Sequence, residues 1–121
     1  MSDLIVETRD VEDVTVLYPR GFINAHTVRG FDSAIQKAIA RRRFKIVVSC
    51  EGLTYIASAG LGAMMGAIEE IRASGGDLRL AGLNDTVRNI FDILGFNHLY
   101  RTYLSEAEAV ESFREGGQAA S

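Results

Sequence analysis

The chain has a single cysteine, Cys50, so it cannot close a disulfide within itself, and a reducing cytoplasm suits it better than a stapled secreted existence. Its first residues, Met1-Ser2-Asp3-Leu4, offer no basic region followed by an apolar core, so no secretory signal is expected. Long apolar runs are missing too: the best candidate, from Ile56 to Ile68, is broken by Gly60, Gly62 and Gly66 and falls short of the ~20 residues a membrane span needs. Positive charge is scarce, with a formal net charge of −3. That balance speaks against a nucleic-acid partner, which calls for a basic surface. The one basic cluster, Arg41-Arg42-Arg43, closes an expected helix, where cations complement the dipole. The expectation is a cytoplasmic protein with no direct nucleic-acid contact and no membrane insertion.

No lysine follows Lys45, so no Gly-Lys-Ser/Thr phosphate loop is present. Only His26 and His98 offer imidazole, and neither stands at a spacing that would pair it with Cys50 around a metal. A nucleophile elbow around Ser58 would need glycine where Ile56 stands. Gly60-Leu61-Gly62 with Gly66 misses the dinucleotide spacing by one residue and reads better as close helix packing. No catalysis, cofactor or metal is expected.

What is present is an ordinary globular composition, 47% apolar and 24% charged over 121 residues, enough for one domain with its own core. Residues 4–9 and 14–18 are rich in β-branched side chains and separated by a short acidic turn, a hairpin signal, with Pro19 and Gly21 expected to end the second strand. Asn24 is expected to cap a helix running to about Arg42, with Val28, Phe31, Ile35 and Ala38 on its inner face. Residues 44–49 read as a strand buried on both faces. Ser58 opens a second helix with Leu61, Met64, Ile68 and Ile71 inward, stopped by Gly75-Gly76. A strand at Leu78–Ala81 follows, then a helix capped by Asn84 or Asp85 and ended by Gly95. A short strand within His98–Tyr103 and a last helix follow, the helix announced by the capping-box pair Ser105 and Glu108. The fold class is α/β: a small mixed sheet, begun by an antiparallel hairpin and extended by βα units, packed against about four helices. Residues 1–114 form a single domain, and 115–121, EGGQAAS, a disordered tail.

Ser58 has two readings. As an N-cap its hydroxyl would contribute on the order of 1 kcal/mol. As a phosphoacceptor it would place a dianion where free backbone N–H groups and the positive end of the helix dipole converge, so the fold would tolerate the mark while a docked partner would not.

Gly21-Phe22-Ile23-Asn24-Ala25-His26-Thr27 after the second strand, Leu53 through Gly62 before the second helix, Gly75-Gly76, and Val87-Arg88-Asn89-Ile90-Phe91 through Leu94-Gly95 together resemble the STAS domain over residues 4–114. The likeness is greatest to the free-standing bacterial anti-sigma factor antagonists. That resemblance implies partner switching: binding to an anti-sigma factor that is also a serine kinase, release on phosphorylation, and reversal by a phosphatase. On the family's D-S-S/T-G-L-G motif, Ser58 falls on the phosphoacceptor, and Asn24, Ala57, Ala59, Gly60 and Leu61 border the docking surface, with Met64 and Met65 nearby. Two acids of the family pattern are missing, replaced by Asn24 and Ala57. The resemblance also admits an unphosphorylated STAS module in a sensory or transporter-associated complex, or a STAS domain that binds a nucleotide or small ligand. It implies no oligomeric state.

Overall fold

The computed structural model describes residues 4–119. Strands β1 (Leu4–Val11) and β2 (Val14–Ile23) form the antiparallel hairpin, Val11 opposite Val14. Glu12 takes the left-handed conformation in the turn, at φ 57. Arg43 closes this corner by donating to the Glu12 carbonyl at 2.7 Å and to Thr15 Oγ1 at 2.6 Å.

β2 does not stop at Pro19 and Gly21, as the sequence suggests, but runs through both. The reason is a change of neighbour. Val14–Leu17 pair in parallel with β3 (Lys45–Ser49), whereas Gly21–Ile23 pair in parallel with β4 (Leu53–Ile56). Pro19 falls in the interval between the two, where β2 has no partner on that side and a missing N–H is tolerated. Gly21, at φ 114, carries the irregularity where the register shifts.

Helix α1 (Val28–Ala40) starts later than Asn24, and its N-cap position is held by Thr27. Asn24 instead closes a side-chain turn: its Oδ1 accepts from the N–H groups of His26 at 2.8 Å and Thr27 at 3.1 Å. Strand β4 was not expected. Helix α2 (Ser58–Ala73) follows it, then β5 (Asp77–Ala81), α3 (Asp85–Leu94), a 3-10 turn (Phe96–His98), β6 (Thr102–Tyr103) and α4 (Glu106–Ala119). Asn84 caps α3 by accepting from Val87 N–H at 2.8 Å, and Gly95 ends it at φ 77. Ser105 Oγ accepts from Glu108 N–H at 3.1 Å, as the capping-box spacing predicts. Helix α4 continues into the segment expected to be a disordered tail, as far as Ala119, while 120–121 lie outside the described residues.

The sheet runs β1-β2-β3-β5-β6, with β4 beside the far half of β2. Successive side chains of a strand point to opposite faces, so β3 feeds two cores. Ile46 and Val48 join Phe31, Ile35, Leu61, Met64, Ile71 and Phe91 beneath α1, α2 and α3, while Val47 joins Val14, Val16, Ala109 and Phe113 beneath α4. Among the described residues no helix is long and apolar enough to cross a membrane.

Candidate functional site

Parallel strands deliver their following loops to one end of the sheet, the place where α/β folds build their sites. Here β2 and β4 end side by side, Ile23 opposite Ile56, and Ala57 N–H donates to the Ile23 carbonyl at 2.8 Å. The Asn24 turn and the start of α2 are therefore brought together, as the sequence reading requires of Asn24, Ala57 and Ser58.

Ser58 is exposed and is the first residue of α2. It is not the cap. Ala57 holds that position with an extended backbone (ψ 173), and no side chain closes the helix end. The Ser58 hydroxyl has no hydrogen bond to any described residue. The Gly60 and Leu61 N–H groups reach back to the Ala57 carbonyl at 2.9 and 3.3 Å. The amides of Ser58 and Ala59 find no such acceptor among the described residues, and the positive end of the dipole is left beside an unused hydroxyl. No acidic side chain stands nearer in sequence than Glu51 and Glu69.

The expected docking residues divide in two. Ala57 and Ala59 are half-buried at the surface, and Asn24 is half-buried in its turn. Gly60 and Leu61 belong to the core instead. A Cβ on Gly60 would come within 2.7 Å of Ile23 Cγ2 and Ile56 Cγ1, and Leu61 is 2% exposed. Met64 is likewise core at 1% exposed, whereas Met65 is open at 46%. Sequence reasoning took Gly62 and Gly66 for close helix packing and passed over Ala63, but these three with Ala59 form one side of an open groove of about 410 Å³. Arg29, Asp32 and Gln36 of α1 form the other side. A Cβ at Gly62 or Gly66 would meet nothing within 4 Å, so these glycines are not demanded by the protein's own packing. Their helical spacing from Ala59 was a signal for this groove.

This surface sits on a chain whose residues 6–109 match the STAS domain family. The anti-sigma F factor antagonist of Paenibacillus polymyxa is 27% identical over 109 residues, covering 89% of this chain and 93% of that protein. Among solved structures, the anti-sigma factor antagonist SpoIIAA in its unphosphorylated form superposes with a TM-score of 0.80 at 25% identity, covering 92% of this chain and 97% of that one. An anti-sigma factor antagonist from Mycobacterium paratuberculosis has the same fold, with a TM-score of 0.85 at 18% identity over 94% of this chain and 99% of that one. With residues 6–109 matching the family model and the same sheet and helices in place, the chain belongs to the STAS domain family.

Proposed function

We propose that this protein is an anti-sigma factor antagonist: it binds an anti-sigma factor that is a serine kinase, and phosphorylation of Ser58 releases that partner until a phosphatase removes the mark. The observation that supports this most is the state of Ser58. Its hydroxyl is exposed and uncommitted, and it stands where two unpaired amides and a helix dipole favour a dianion. Adding a phosphate breaks no hydrogen bond of the fold. A partner lying over Ala57, Ala59 and the groove beside Gly62 would meet that charge directly.

The absence of carboxylates at Ala57 and Asn24 removes repulsion against such a phosphate, but it also removes two anchors for an arginine on a kinase. That observation favours a second reading, a docking module that is not phosphorylated. A nucleotide-binding role has less support, because the Gly60 N–H is already bonded to Ala57 and its Cα packs on Ile23 and Ile56.

The test is incubation with ATP and the serine kinase of its own cell that the protein captures. One phosphate per chain is expected, absent in Ser58→Ala. Ser58→Ala should keep both binding and the wild-type melting curve, within about 0.5 kcal/mol, because no bond of the hydroxyl is lost. Stable capture of the kinase without phosphate transfer selects the second reading.

A further inference from the structure

Three residues bordering the groove between α1 and α2 sit against their local preferences. Arg29 stands in the first turn of α1, where the helix dipole disfavours a cation, and no acid in that turn offsets it. Gly62 and Gly66 lie inside α2, where glycine weakens a helix relative to alanine, although a Cβ on either would meet nothing. Features that cost the folded chain and serve nothing within it point to a second body.

Because β2 and β4 are parallel, the helices that follow them run side by side in the same direction. Arg29, Asp32 and Gln36 therefore descend one wall of the groove as Ala59, Gly62 and Gly66 descend the other. Arg29 and Asp32 are one helical turn apart and within reach of each other. Yet neither side chain forms an ion pair or a hydrogen bond among the described residues. Elsewhere a cation near an acid takes it: Arg9 holds Glu106, Lys45 holds Asp13, and Arg114 holds Glu111 on its own helix.

We propose that a second copy of this chain fills the groove, its α1 lying antiparallel to the first. A cation and an acid on one stripe are complementary to themselves about a two-fold axis. With the axis between them, Arg29 of each copy faces Asp32 of the other, and both pairs form at once. Gly62 and Gly66 let the incoming helix lie close to the α2 backbone, since the distance between packed helices follows the size of the side chains at the contact. The anti-sigma factor proposed above would lie over the same groove, so pairing and capture exclude one another. That exclusion rests on the proposed function, whereas the pairing does not.

Sedimentation equilibrium of the full chain, up to about 1 mM, should show a monomer–dimer equilibrium that weakens as salt rises. Arg29→Asp and Asp32→Arg each oppose like charges at both pairs and should weaken association at least about tenfold. Mixed in equal amounts, the two variants should associate as tightly as wild type, because every acid then meets a base. Arg29→Asp places an acid in the first turn of α1 and should melt no lower than wild type, so its loss of pairing is not a loss of fold. Gly62→Leu should be folded and monomeric. A wild-type chain that stays monomeric throughout, or variants that fail to complement each other, would overturn the pairing. Monomers in which Arg29→Asp instead abolishes capture of the anti-sigma factor would overturn it too, and would give the groove to that partner.

Discussion

Gly60 and Gly62 flank Leu61 and look alike in the sequence, but the fold uses them for different ends. Gly60 lets α2 lie against Ile23 and Ile56, and any Cβ there collides with both. Gly60→Ala should cost about 1–3 kcal/mol by overpacking, read from urea denaturation. Gly62 faces open space within a helix, where alanine is favoured over glycine by about 0.5–1 kcal/mol. Gly62→Ala should therefore stabilise the protein. Gly62→Leu should leave it folded yet block capture of the anti-sigma factor, and unimpaired capture would remove the groove from the docking surface. The same resolution corrects the reading of Ser58. The residue type and its place at the start of a helical pattern were legible, but that it would not be the cap was not, because the cap depends on backbone angles. Those angles put Ala57 at the boundary.

Among the elements, the helices were the most legible, since their 3–4 spacing of apolar residues is a local property. Strand β4 was hidden because its pattern does not alternate: Leu53 and Ile56 are buried while Thr54 and Tyr55 are exposed. The passage of β2 through Pro19 was hidden for a different reason, being a consequence of which strands lie beside it. One tie between elements is sensitive to acid. Asp10 at the end of β1 accepts from Arg41, where α1 ends, and from Thr15 Oγ1 at 3.0 Å, and forms an ion pair with Arg43, whose Nε lies 3.3 Å away. The Arg41 hydrogen bond above all, helped by Thr15 and Arg43 and opposed by burial, holds its carboxyl below the usual 3.8. Lys45 lowers Asp13 in the same way. A carboxyl lowered in the folded state lends stability that is complete above the unfolded value and lost as the pH falls through the folded one. Unfolding midpoints should therefore drop below about pH 4, and the drop should be shallower in Asp10→Asn. Helix α4 depends on a second tie, Arg79, which lies 4.1 Å over the ring of Phe113 and donates to Ser112 Oγ at 2.8 Å. Phe113→Ala should cost about 3 kcal/mol, seen as a lower urea midpoint, and should first release amide-exchange protection in α4.

On the scale of the whole molecule, the two cores share one sheet, so β3 and β5 can unmask only when the domain opens as a unit. Cys50 reports on that event. It is 2% exposed at the end of β3, and burial pushes its thiol up to about 12. A thiol reagent should react with it only at the rate of global opening, in step with urea unfolding, and fast reaction under native conditions would show that the sheet opens locally.

The sheet's two margins have a further consequence. β1, the outer strand on one side, sets Glu7, Thr8, Arg9 and Asp10 in the open, and β6 on the other side is a mere two residues long. Charged or very short edges make poor templates for another strand. Recognition by strand addition, a common way for one chain to seize another, is therefore discouraged at β1 and at β6. A partner is left to grip helices and loops, and those at the Ser58 end offer a surface that a single chemical mark would change.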